Sequence, residues 1–281
     1  MNNICQIIFT PEWSFLRFAL LTGILLSPAI GIVGTMVVIR RISSLAGASA
    51  HAALGGFALS LFLQRVCHVS WFTPTLGAVA GALTAAMIVG LVNIYAKERE
   101  DTVIGAVWAI GMSVGLLLLD HTPGYVDWQS YLFGNMLMLD QSSLYMTLAL
   151  DALVIIPTVV FFPALQAVAF DDTFARLRGI KAGILYMVIL GLTALTIVLL
   201  INLVGIMLVI ALLTLPGATA GCHTGHLKSM MLLSTLLCAL FTSAGLLLSC
   251  FLEVPSGPAV VILSGMAYTA SMLWKKHRIK Q

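Results

Sequence analysis

Charged side chains are scarce in this sequence. Only 9% of its 281 residues are Asp, Glu, Lys or Arg, and 60% are hydrophobic, whereas an average soluble domain carries about 25% charged residues. That deficit excludes an ordinary soluble chain. Catalytic signatures are missing as well. No GxxxxGKS/T phosphate loop occurs, so hydrolysis of ATP by the usual Walker route is excluded, and neither HExxH nor GxSxG is present. Cys5, Cys67, Cys222, Cys238 and Cys250 are odd in number and scattered, which excludes a disulfide framework. The net charge of +3 is not gathered into a basic stripe, so it implies no nucleic-acid partner.

What is present is a series of long apolar stretches, at approximately 16–39, 45–64, 74–95, 103–119, 143–162, 183–203, 205–221, 230–251 and 257–274. A helix needs about 20 apolar residues to cross a hydrocarbon core ~30 Å thick. Inside that core only a helix or a closed barrel satisfies its own backbone. The expectation is an all-α polytopic membrane protein in the lipid bilayer, with about nine (eight to nine) transmembrane helices. Pro11, Glu12 and Trp13 precede the first stretch in place of a basic leader, so it is read as a retained helix.

Basic residues orient the spans. Twelve of the 14 Lys and Arg, among them Arg40, Arg41, Arg176, Lys181, Lys228, Lys275 and Lys276, fall on one side, and only Arg17 and Arg65 on the other. The rich side is inside. The C-terminus is then cytoplasmic and, with nine spans, the N-terminus lies outside. Were 205–221 re-entrant, the count would drop to eight and the N-terminus would move inside, leaving Arg40 and Arg41 on the wrong side. Nine is preferred.

Two ionisable residues stand well within spans: Asp151 in "LALDALV" and His51 in "LAGASAHAALGG". Such residues are expensive in a bilayer and usually face a bundle interior, a cavity or a partner. His51 reads either as a neutral imidazole hydrogen-bonded across a helix interface or as a group on a polar path. Asp151 reads first as a packing residue. The small residues around His51 allow close helix approach, or line a narrow passage.

The segment "AFDDTFARLRGI" carries Asp171 and Asp172 where they can cap a short helix that ends at Gly179. "GCHTGH" gathers Cys222, His223 and His226, which are zinc-ligand types but read first as a polar loop. "DHTPGYVDW", with Asp120, His121 and Asp127, reads likewise as a polar outer loop.

Along nearly its whole length the chain resembles the permease subunits of bacterial ABC importers for zinc, manganese and iron. The resemblance rests on "FLRFALLTGILLS", "VIRRISSLAGASAHAALGGFALSL", "EDTVIGAVWAIGMSVGLLLL", "SYLFGNMLML", "DDTFARLRGI", "VGIMLVIALLTLPGATA" and "EVPSGPAVVILSG", in that order. It implies a type II-like ABC importer permease fold, a single transmembrane domain over 1–281, and a cytoplasmic coupling-helix segment at 170–181. Asp171, Asp172, Phe174, Ala175 and Gly179 would seat that segment against the ATPase. "SYLFGNML" resembles an outer segment near the gate. The implied partners are a cytoplasmic ABC ATPase dimer, an extracytoplasmic metal-binding solute-binding protein, and a second permease copy or a paralogue. No cofactor is implied for the chain itself, whose cargo is a divalent metal ion. His51 corresponds to a residue lining the family's translocation path, and Asp151 is a further candidate contact. The family commonly places an aspartate four residues before that histidine; here the position is Gly47.

These features lead to a non-enzymatic permease of the bacterial cytoplasmic (inner) membrane, working by alternating access. "DWQSYLFG" favours zinc, with manganese or iron next. The alternative is a metal-ion secondary transporter or channel independent of ATP, although a secondary transporter would more often show several intramembrane carboxylates.

Overall fold

The computed structural model describes residues 14–96, 99–124 and 141–279. Among them all regular structure is helical. In chain order the helices are α1 (Ser14–Ile39), α2 (Ser43–Arg65), α3 (Pro74–Leu91, widening into a π-type turn at Val92–Ala96), α4 (Glu100–Asp120) and α5 (Gln141–Val160). There follow α6 (Phe162–Phe170), α7 (Asp172–Leu177), α8 (Ala182–Val204), α9 (Ile206–His223), α10 (Leu227–Leu252) and α11 (Ser256–Ile279). Nine of these are long and apolar enough to cross a membrane, all except α6 and α7. The stretch at 205–221 is a separate helix of spanning length, as the nine-span reading requires. Gly205, with φ +81°, makes the break between α8 and α9, a backbone angle that favours glycine.

One helix was not foreseen. The sequence reading runs the span at 143–162 into a loop, but Pro163 lies in the first turn of α6, where its missing N–H has no intrahelical acceptor to lose.

The chain divides into two compact units. The first contains α1 as far as Val38, α5 and α9–α11; the second runs from Ile39 through α2–α4 and resumes at Phe161 with α6, α7 and most of α8.

Within the first unit, glycines bring backbones together. A Cβ on Gly34 would run into the carbonyl of Leu213, and one on Gly217 would sit 3.1 Å from the Gly34 carbonyl, so α1 and α9 touch main chain to main chain. Pro28 lies inside α1. It has no N–H to give to the preceding turn. The next amide, Ala29 N–H, donates to Asp151 Oδ1 of α5 at 3.1 Å.

In the second unit, α2 is held between α3 and α4 by the same device, applied on both sides. A Cβ on Gly56 would overlap the Gly77 carbonyl of α3, and one on Gly81 would overlap the Ala52 carbonyl. On the α4 side, a Cβ on Gly55 would approach the Gly111 carbonyl to 2.7 Å, and one on Gly111 would approach Ala52 Cα to 2.9 Å. The small residues of "LAGASAHAALGG" therefore serve close packing, the commoner use of such runs in membranes. Entry to α3 is fixed locally: Thr73 accepts from Leu76 N–H at 3.3 Å, and Pro74 opens the helix.

Replacing Gly56 by Val should therefore overpack the α2–α3 contact by about 1–3 kcal/mol or more, lowering membrane accumulation and the melting temperature of the detergent-extracted protein. Gly105→Val is the control, because an added Cβ there meets nothing within 4 Å. Equal melting of the two variants would refute the packing account.

Candidate functional site

His51 lies on α2, and its neighbour across the helix pair is Trp108 of α4. The imidazole and indole are stacked, with ring centroids 4.9 Å apart and planes 18° from parallel. His51 Nδ1 is buried without a hydrogen-bond partner. The cross-helix hydrogen bond offered by the packing reading is therefore not made at this nitrogen. A buried polar atom left unpaired is costly.

Trp108 reaches one turn further along α2. A Cβ on Gly47 would stand 2.7 Å from Trp108 Cζ3 and 3.2 Å from its Cε3. The same indole thus covers both the i and i+4 positions at which a carboxylate and an imidazole would share an ion. Gly47 is a steric requirement of the tryptophan. Trp108 was not singled out from the sequence. The signal available there was a bulky aromatic in "GAVWAIGM", a stretch otherwise of small and aliphatic residues.

Among the described residues, His51 is not part of a larger ligand cluster, and no three His, Cys, Asp or Glu side chains form a group able to hold a metal ion. Asp151 is 7% exposed and belongs to the other compact unit, where it accepts the Ala29 amide. The "GCHTGH" residues are divided: Thr224, Gly225 and His226 form the expected short connection between α9 and α10, but the first three do not. Cys222 and His223 form the last turn of α9 because the helix continues past "TLPGATA", and His223 Nε2 lies 3.1 Å from Ser271 Oγ of α11. At the end of α4, His121 Nδ1 lies 2.8 Å from the Leu117 carbonyl, and both Asp120 and His121 are exposed. Asp127 and "SYLFGNMLML" fall outside the described residues.

The segment at 170–181 forms a corner closed at both ends. Asp171 caps α7, its Oδ1 accepting from Thr173 N–H at 2.8 Å and Phe174 N–H at 3.1 Å. Asp172 does not share the capping: its carboxylate turns to Arg40, which donates to both oxygens at 2.9 and 3.2 Å. At the C-terminal end Gly179 adopts φ +76°. Its N–H bonds to the Arg176 carbonyl, and Ile180 N–H bonds to the Ala175 carbonyl, the paired bonds of a Schellman motif. Ala175 is fully buried, whereas Phe174 is 46% exposed and Leu177 83% exposed. A short rigid helix thus anchors itself through Ala175 and shows an apolar face outward.

The ABC 3 transport family matches residues 12–275. The chain belongs to that family. This ABC 3 family member is 36% identical over 251 residues to a "Probable metal transport system membrane protein" of Chlamydia pneumoniae, spanning 89% of this chain and 85% of that one. It is 29% identical over 263 residues to the manganese transport system membrane protein MntC of Listeria innocua, spanning 94% and 91%. Among solved structures, PsaBC from Streptococcus pneumoniae in complex with Fab matches with a TM-score of 0.79 at 27% identity, over 92% of this chain and 91% of that one. The ABC 3 family member is thus a membrane permease subunit of a metal-ion ABC importer, with ATP hydrolysis on a separate subunit. The ATP-independent alternative falls away.

Gly47→Asp in this permease should reduce membrane accumulation, because the new side chain overlaps the Trp108 indole and brings a costly carboxylate into the span. Adding Trp108→Ala should restore it. Accumulation of the single variant at the parental level, measured by immunoblot of washed membranes, would show that this face has room for a carboxylate.

Proposed function

We propose that the chain, paired with a second copy or a paralogue, forms the translocation path of an ATP-driven importer of divalent zinc. A cytoplasmic ATPase dimer drives it by alternating access, and an extracytoplasmic solute-binding protein delivers the ion. The observation that carries this reading is α7: a helix capped at both ends, exposing Phe174 and Leu177, on a chain with no phosphate loop of its own. Asp171, Asp172, Phe174, Ala175 and Gly179 form the docking corner, with Asp171 and Gly179 closing its ends, Asp172 tying it to Arg40 and Phe174 presented to the ATPase.

His51 is the proposed contact with the ion in transit. The Trp108 stack holds the ring in one orientation, much as outer-shell partners orient metal-binding histidines elsewhere. One imidazole per chain gives a weak site, which suits transport: an ion held by a full cage would not leave. Zinc is favoured because imidazole suits it, while oxygen-rich sets suit manganese, and Trp108 excludes a carboxylate beside His51. Manganese is the second reading, supported by the printed function of the Listeria relative. Asp151 is the weaker candidate contact, since one of its carboxylate oxygens already accepts the Ala29 amide.

In proteoliposomes holding the assembled complex, zinc should stimulate ATP turnover more than manganese or iron(II). Stimulation by manganese alone would replace zinc as the cargo. His51→Ala should reduce zinc uptake about tenfold or more with the ATPase still copurifying, and parental uptake would return His51 to a packing role.

The proposed orientation places the C-terminus in the cytoplasm of a bacterium and the chain in its inner membrane, following the lysines and arginines. In a background without native cysteines, Val254→Cys, at a position 40% exposed between α10 and α11, should react with an impermeant thiol reagent in intact cells. Lys276→Cys should stay shielded until the membrane is opened. The reverse pattern would invert the topology and move α7 away from any cytoplasmic ATPase.

A further inference from the structure

Arg40 occupies the turn between α1 and α2, where Arg41 stands in the left-handed region at φ +59°. Its side chain is only 14% exposed, unusual for an arginine beside a helix end. The guanidinium is engaged on every side by the second compact unit. Nη1 donates to the Val168 carbonyl in the last turn of α6 at 2.8 Å and to Asp172 Oδ1 at 2.9 Å; Nη2 donates to Asp172 Oδ2 at 3.2 Å. The face of the cation lies over the Tyr186 ring of α8, 4.7 Å from its centroid.

Each contact answers a local need. The C-terminal carbonyls of a helix lack intrahelical partners and favour a cation, and the first turn of a helix favours a carboxylate. Arg40 therefore satisfies the end of α6 and pairs with the start of α7 at once, clasping the corner that Asp171 makes between them. A planar fork matching a carboxylate fixes direction as well as distance, which a lysine ammonium does not do. Just beyond, Ser43 begins α2, and eight residues on, a rise of about 12 Å, stands His51. The guanidinium is the side-chain link between the docking corner and the turn from which the His51 helix starts.

We propose that Arg40 is the positioning residue that transmits displacement of α7 to α2, so that ATPase movement reaches the helix bearing His51 through the Arg40–Asp172 fork. This inference rests on the reading of α7 as the ATPase docking element. Arg40 touches neither ion nor nucleotide. Its loss should separate ATP turnover from transport rather than stop turnover.

The test uses the complete complex of permease, ATPase and solute-binding protein in proteoliposomes, with zinc and manganese as the ions. Arg40→Gln and Arg40→Lys should each retain the ATPase and its basal turnover, while the ion-stimulated turnover and the uptake per ATP fall about fivefold or more, the scale of an ordinary coupling energy. Combining Arg40→Gln with Asp172→Asn should lower coupling no further than Arg40→Gln alone, since both remove one link. Parental stimulation in Arg40→Lys would overturn the proposal, because that variant keeps the charge and lacks only the fork. Should Arg40→Gln fail to accumulate, Arg40→Lys decides. Phe174→Asp separates the two claims: if it leaves the ATPase bound, the docking reading fails; if it releases the ATPase while Arg40→Lys remains fully coupled, only the role of Arg40 fails.

Discussion

The second compact unit depends on backbone touching backbone. Gly56 and Gly81 bring α3 against α2, and Gly55 and Gly111 bring α4 against its other side, at separations that leave no room for a Cβ. In a bilayer there is little hydrophobic gain from moving an apolar side chain from lipid to protein, so association relies on close van der Waals fit. Small residues supply that fit. They also leave α2 with few side chains long enough to cover the next helix, and on this helix a histidine and a tryptophan from α4 fill the space.

That arrangement explains the pairing of His51 with Trp108 and of Trp108 with Gly47. An indole is large, has few rotamers and offers a flat face. Laid along α2, it stacks on the imidazole at one end and closes the space above Gly47 at the other. The ring nitrogen of His51 is left without a partner in protein. Among the described residues, His51 therefore stands with its aromatic support and outside any larger group of ligand-type side chains.

Much of the architecture was legible in the sequence because a bilayer allows few solutions. Length and polarity alone delimit a span, and the nine stretches fall within a few residues of the nine long helices. The corner at α7 was also legible, since an Asp at its start and a Gly past its end are local capping signals. Where signals were not local, reading failed. The α6 helix has the same apolar composition as the span before it. The division of labour between Asp171 and Asp172 is decided by Arg40, distant in sequence by 132 residues from the carboxylate it holds. Trp108 meets Gly47 and His51 only because α2 and α4 are pressed together. Cys222 and His223 belong to α9 because nothing in "GATAGCH" stops a helix, although a cluster of ligand-type residues invites a loop.

The carboxylate of Asp151 has one further meaning. A proline inside a helix leaves the carbonyl one turn before it without its usual donor and crowds that turn, and in hydrocarbon no water comes to its aid. Asp151 acts as a splint: from α5 it accepts the amide that directly follows Pro28 in α1. Acid and proline thus form a matched pair, each a liability without the other. Were the acid removed, the Ala29 amide would lose the bond that ties it to α5. The turn around the proline is thus held by a residue more than a hundred positions away.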